Sequence, residues 1–277
     1  MKMRAAAAAL ALAACAAQGA DQASAVDTLV KVSLDRGAEQ AGVLTVLRGD
    51  RPGALVLLMP GDPAVFRPVL ENGEVAITRL RGNTLVRARH LLVRPGIATL
   101  LVDCRSDSGD SCRESYVLSK ERVDDVTKLL ARAKQEVPTA TKVWVVGHSF
   151  GGHSSAALAR WGDGLIDGAI YASAIFARSR TYPMLAGFDL SAAKVPQLIV
   201  AHRRDPCPGT AFSGAEYAAR RYNIPLVAVT EASGARGDPC GAFSEHGFAG
   251  AERVFMDIIA DAVENGFDKF RHRQEQR

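Results

Sequence analysis

Three residues spread along this chain have the types needed for acyl-transfer chemistry. Ser149 lies in Gly147-His148-Ser149-Phe150-Gly151, where the apolar run Val143-Trp144-Val145-Val146 passes into a stretch of small helix formers. A serine hydroxyl is a weak nucleophile until a base takes its proton. The pattern G-x-S-x-G at a strand-to-helix turn supplies the backbone half of that chemistry. The serine is held in a strained conformation above the sheet, and the Phe150 N–H sits at a helix N-terminus, where developing negative charge is stabilised. The base must come from elsewhere, and the chain has six histidines. His90 falls in an expected helix, His148 and His153 flank the serine, His202 ends an expected strand, and His272 is in the tail. His246 stands between the last expected strand and the last expected helix, where an imidazole can reach over the sheet to Ser149. The expected orienting acid is Asp205, in the loop after the apolar run 196–202, with Asp238 and Glu245 as the runners-up. A carboxylate there would accept the His246 Nδ1–H and fix the tautomer. Asp238 and Glu245 are the other acids nearby, both close to His246 in sequence.

These residues need a scaffold that brings distant loops to one edge. Segments 28–34 and 42–48 alternate like half-exposed strands and read as an antiparallel edge hairpin. The continuous apolar runs 54–60 and 97–104 read as strands buried on both faces. Residues 64–82 carry no strong pattern, and a helix is expected over 83–94, ending before Pro95-Gly96. The clearest helix covers 119–137, with Val123, Val126, Leu129, Leu130 and Ala133 on one face and Ser119 as N-cap. Strands follow at 142–148, 166–173, 196–202 and 225–231, and helices at 150–161, near 210–222 and at 249–265. Strands alternating with helices in this way imply a mainly parallel sheet covered on both faces. About 22 residues separate two of the strands, which leaves little room for a lid. One domain over 26–270 is the simplest organisation.

The net charge of +4 is too weak to argue for nucleic acid. Arg79, Arg81, Arg87, Arg89 and Arg94 are interleaved with Leu85, Val86, Leu91, Leu92 and Val93, and read as a solvated helix face over a buried one. Residues 1–20 combine a charged start, Met1-Lys2-Met3-Arg4, with an alanine-rich apolar run too short to span a bilayer, which is the pattern of an export signal. Cleavage after Gln18-Gly19-Ala20 is one outcome. The other is a bacterial lipobox at Leu12-Ala13-Ala14-Cys15, with lipidated Cys15 tethering a periplasmic protein to a membrane. Five cysteines leave four once Cys15 is set aside, and an oxidising compartment favours pairing them. The expected pairs are Cys104–Cys112, closing a tight loop, and Cys207–Cys240, tying the Asp205 loop to the His246 loop.

On the segment around Ser149, the chain order Ser149, Asp205, His246 and the stretch from Val102 to Ser111, the sequence resembles the α/β-hydrolases from about residue 28 to 267. That resemblance implies an eight-stranded, mostly parallel sheet with helices on both faces, and an acyl-enzyme mechanism. It also implies an oxyanion hole joining the Phe150 N–H to an amide of Gly61 or Asp62, in the turn after the 54–60 strand. Members often carry His-Gly there. This chain has Pro60-Gly61-Asp62, so the Asp62 carboxylate is expected to turn away or to cap a helix. Ser106 stands where the family's D-x-R-G-x-G segment has glycine. The reaction expected is hydrolysis of a small-molecule ester, with no metal or organic cofactor required. A peptidase or amidase would use the same triad, and an envelope binding protein could keep the fold without the catalysis. Phe66, Phe176, Tyr182 and Phe188 could line an acyl pocket or serve packing alone.

Overall fold

The computed structural model describes residues 25–177 and 185–270. The segment 1–20 expected to be an export signal, with Cys15, and the residues Tyr182 and His272 lie outside the described residues. Strands β1 (Ala25–Ser33) and β2 (Glu39–Leu47) form the edge hairpin, with β2 also antiparallel to a later strand. β3 (Ala54–Met59) follows, then a small separate hairpin of β4 (Pro68–Glu71) and β5 (Glu74–Ile77). Two helical turns, α1 (Thr84–Arg87) and α2 (Arg89–Leu92), lead into β6 (Ile97–Val102). The next elements are α3 (Glu114–Val117), α4 (Lys120–Glu136), β7 (Lys142–His148), α5 (Gly151–Trp161) and β8 (Gly168–Ala172). β9 (Gln197–His202), α6 (Phe212–Tyr222), β10 (Leu226–Val229) and α7 (Glu252–Asn265) complete the order.

The main sheet has eight strands in the order β1-β2-β6-β3-β7-β8-β9-β10, parallel from β6 to β10. β3 shows why it sits at the centre. All six of its residues are buried. Leu55, Leu57 and Met59 face the layer that holds Val126 and Leu129 of α4, while Val56 and Leu58 face the layer that holds Phe255 and Ile259 of α7. The two-residue period of a strand sends alternate side chains to opposite faces, so an unbroken apolar run is what a doubly covered strand requires. α4 begins where expected: the Ser119 hydroxyl accepts the Arg122 N–H at 3.1 Å, and the five anticipated apolar residues are buried.

Three readings change. Residues 64–82 contain the β4–β5 hairpin, turned at Asn72-Gly73, where both residues have positive φ. The helix expected over 83–94 is two turns broken at Ala88 (φ −101°, ψ 3°) and ends at Leu92. Val93 is already extended, ahead of an Arg94 that pairs with Ile97 and precedes Pro95. The arginine run is not a free solvated face: Arg87 pairs with Glu252, Arg89 with Asp27, Arg94 with Asp257 and Arg79 with Asp110. The connection between β8 and β9 holds, among its described residues, two short 3-10 turns at 185–187 and 190–192 and no lid helix.

Candidate active site

β7 ends at His148, and Ser149 turns the chain with φ +54°, a conformation that an L-residue adopts only when its surroundings enforce it. The enforcement is visible. The Ser149 N–H donates to the Ala172 carbonyl at the end of β8 (2.9 Å). A Cβ on Gly147 would collide with the Gly151 carbonyl, and one on Gly151 with the Met59 carbonyl, so glycine alone allows strand, turn and helix to pack this closely. Phe150 is the N-cap residue of α5, at the positive end of the helix dipole.

Gly61 packs against this elbow. A Cβ built on it would lie 3.1 Å from the Ser149 Cβ and 3.3 Å from the Asn83 amide nitrogen. Asp62 is exposed, begins no helix, and lies within a turn closed by the Ala64 N–H on the Gly61 carbonyl (2.7 Å). Asp103 anchors the far side of this loop: its carboxylate accepts the Phe66 N–H at 2.8 Å and the Arg67 N–H at 3.1 Å. Burial pushes the Asp103 carboxyl upward, opposed by those amides and by the Arg67 guanidinium. The Cys104–Cys112 disulfide closes the next loop, whose Cys112 N–H donates to the Pro63 carbonyl (2.9 Å). Ser106 has a use that glycine lacks, since its hydroxyl accepts the Glu39 N–H at 2.8 Å.

The acid and the imidazole meet. Asp205, in the turn after β9, places Oδ2 3.1 Å from His246 Nδ1, and both side chains are buried. Its Oδ1 accepts the Cys207 N–H (2.9 Å). Thr210 Oγ1 donates to Asp205 Oδ2 at 2.9 Å and lies 2.9 Å from His246 Nδ1. A carboxylate can only accept, so Nδ1 carries the hydrogen and Nε2 keeps its lone pair. Asp238 instead accepts the Cys240 N–H at 2.7 Å, and among the described residues the hydrogen-bond partners of His246 Nδ1 are Asp205 and Thr210. The Cys207–Cys240 disulfide joins the acid turn to the loop carrying His246.

Ser149 reaches this pair through its neighbour. His148 and His246 have ring centroids 4.9 Å apart, and His148 Nε2 lies 2.9 Å from the His246 carbonyl oxygen. No Ser149 Oγ–His246 hydrogen bond forms among the described residues. Such bonds commonly tighten only when substrate binds. The 3-10 turn at Glu245–Gly247 is held from the other side, with the Thr84 hydroxyl and Arg87 Nη2 both donating to the Gly247 carbonyl. Thr210, Asn83 and Thr84 are not singled out by the sequence, and Arg87 enters there only as part of a solvated arginine face. Only Asn83 had a local sign, a capping residue ahead of Thr84-Leu85-Val86. His148, His153 and His202 are buried and hydrogen-bonded to backbone groups. Phe66 and Phe176 are core residues, and Phe188 packs edge-on against Trp161.

Comparison with known proteins agrees with this fold. The profile of the alpha/beta hydrolase family matches residues 56–250. No protein of curated function matches the sequence. Among solved structures, the chain is similar to XC6422 from Xanthomonas campestris, described as a serine hydrolase without a lid. The identity is 14%, coverage is 88% of this chain and 95% of that one, and the TM-score is 0.51. It is similar to the Pyrococcus furiosus esterase Pf2001 at 14% identity, covering 88% and 93%, with a TM-score of 0.54. It also resembles Porphyromonas gingivalis dipeptidyl peptidase 4 at 15% identity and a TM-score of 0.52, covering 84% of this chain and 35% of that one. At these identities the likeness is one of fold, and the same fold carries different chemistries.

Proposed function

We propose, for a chain that belongs to the alpha/beta hydrolase family, that it hydrolyses carboxylic esters through an acyl-enzyme on Ser149, with His246 as general base and Asp205 as the orienting acid. The observation that carries this reading is the 3.1 Å contact between Asp205 Oδ2 and His246 Nδ1, on a loop gripped by the residue next to a strained serine. In the reaction His246 Nε2 takes the Ser149 proton as Oγ attacks the ester carbonyl. The oxyanion rests on the Phe150 amide and one from Gly61 or Asp62. The tetrahedral intermediate collapses, and the imidazolium protonates the departing alcohol. Water, deprotonated by the same imidazole, then releases the acid and regenerates the serine. Losing one oxyanion donor would cost about 10²–10³ in rate.

Ser149→Ala tests this directly. It should abolish p-nitrophenyl ester turnover and fluorophosphonate labelling while leaving the thermal midpoint near that of the parent protein. Labelling that persists in the variant would remove Ser149 from its role. The esterase description of the Pyrococcus neighbour favours an ester, and the peptidase description of the Porphyromonas neighbour keeps amide cleavage as the second reading. Matched ester and amide substrates separate the two. We further read residues 26–270 as one domain, delivered outside the cytosol by the leader. The two disulfides favour an oxidising compartment. Mass spectrometry of the membrane fraction decides whether Cys15 carries lipid.

A further inference from the structure

We propose that His148, the residue before the nucleophile, is a positioning residue that holds the His246 main chain, and with it the general base, at a fixed distance from Ser149; this rests on the roles given to Ser149 and His246 above. The His148 ring is buried at the end of β7, against His246 on one side and Phe248 on the other, with centroids 4.9 and 6.1 Å away. Its hydrogen bonds admit one consistent assignment. Nε2 is 2.9 Å from the His246 carbonyl oxygen, which only accepts, so Nε2 carries the hydrogen. Nδ1 then presents a lone pair, and it faces the Asn83 amide nitrogen at 3.4 Å. The orientation of Asn83 is itself settled, because its Oδ1 accepts the Leu85 N–H at the start of α1 (3.0 Å), which leaves the NH₂ for His148.

A relay therefore runs from the α1 N-terminus through Asn83 and His148 to the His246 carbonyl. The adjacent Gly247 carbonyl is held from α1 by Thr84 and Arg87. Burial keeps His148 neutral, down to a pKa of about 3, so this donor pattern persists across the working pH range and puts no charge beside His246. His148 adjoins Ser149 in the chain, so one side chain spans the gap between the nucleophile and the main chain of its base. An error in that distance affects proton transfer and leaves ground-state binding of substrate untouched.

Three variants test the assignment: His148→Gln, His148→Asn and His148→Leu, each assayed for p-nitrophenyl ester kcat and KM and for thermal midpoint. The glutamine amide reaches the Nε2 position and can still donate to the His246 carbonyl. The asparagine amide reaches only the Nδ1 position, and leucine offers no donor. The Asn and Leu variants should lose about 10- to 100-fold in kcat with KM within about twofold, while the Gln variant stays within about threefold. Activity that tracks stability across all three, or a Gln variant as impaired as the Asn one, overturns the proposal. Should His148→Leu fail to fold, the Gln–Asn comparison carries the same decision. A parent protein that neither hydrolyses esters nor labels with fluorophosphonate would instead remove the serine-hydrolase reading itself.

Discussion

Removing the Cys207–Cys240 bridge by a double substitution to alanine is expected to lower stability more than any other disulfide change in this chain. The two cysteines are 33 residues apart. Opening a loop of that length restores conformational freedom to the unfolded chain worth about 4 kcal/mol in the loop-entropy account. The Cys104–Cys112 bridge spans 8 residues, and the same account gives about 2.5 kcal/mol. For a chain of this size each kcal/mol moves the thermal midpoint by roughly 2–4 °C, so the first double variant should lose roughly 8–16 °C and the second roughly 5–10 °C. Activity well below the midpoint should change less than stability does. Asp205 is held by the Cys207 main-chain amide and by the Thr210 hydroxyl, and neither contact involves the disulfide sulfur. The assay is differential scanning calorimetry of both double variants and of the oxidised parent, with ester kcat measured at 25 °C. The ordering is the sharper part of the test. If the Cys104/Cys112 variant loses as much as the Cys207/Cys240 variant, the argument from loop length is wrong, and the anchoring of the loop through the Cys112 N–H on Pro63 would be the better account.

Three further outcomes follow from contacts described above. Thr210→Val keeps the shape of the side chain but removes the hydroxyl between Asp205 Oδ2 and His246 Nδ1; a loss of about 1 kcal/mol, or roughly fivefold in kcat/KM, is expected, and unchanged kinetics would leave Thr210 no part in holding the pair. Gly151→Ala drives a Cβ into the Met59 carbonyl, so it should destabilise by about 3 kcal/mol or more or abolish folding, read from denaturant midpoints. The buried His148 holds its folded pKa near 3, against 6.5 for an unperturbed imidazole. Above 6.5 both states leave it neutral and nothing is lost. As pH falls below 6.5 the unfolded chain takes up a proton that the folded one refuses, so stability declines from there toward pH 3, by up to about 1.4 kcal/mol per pH unit. Burial pushes the Asp27 carboxyl up, but His90, Thr45 and Arg89 outweigh it and hold it below its ordinary value of 3.8, so its contribution is lost only below 3.8, beneath the pH 7 to 5 range in which the midpoints are compared. Thermal midpoints from pH 7 to 5 should therefore fall more steeply in the parent protein than in His148→Gln, and equal slopes would refute the assignment.

What could be read from the sequence divides according to the range of the signal. The buried strands announced themselves because a doubly covered strand must be apolar at every position, as Leu55 to Met59 are. The elbow was legible because the collision between a Gly151 Cβ and the Met59 carbonyl forces glycine into one place relative to Ser149. The β4–β5 hairpin is equally local: Asn72-Gly73 between short apolar runs is a two-residue turn signal, in a segment whose strands are too short to show a strong pattern. The helix expected over 83–94 differs from the two observed turns for the opposite reason. Its apolar periodicity is real, but Arg87 and Arg89 on either side of the break answer to Gly247, Glu252 and Asp27, partners remote in sequence. Asp205 is steadied locally by Cys207 and Thr210, but the contacts that reach the His246 turn from the rest of the proposed site are of this remote kind. Thr210 and His246 are 36 residues apart, Asn83 and His148 are 65, and His148 and His246 are 98. A hydrogen bond between such residues leaves no periodicity and no motif in either local stretch, because each residue type has an ordinary use where it stands. The sequence can therefore nominate Ser149, Asp205 and His246 from chain order and turn chemistry, while the proposed spacing between them rests on contacts of Thr210, His148 and Asn83 that only the folded sheet brings together.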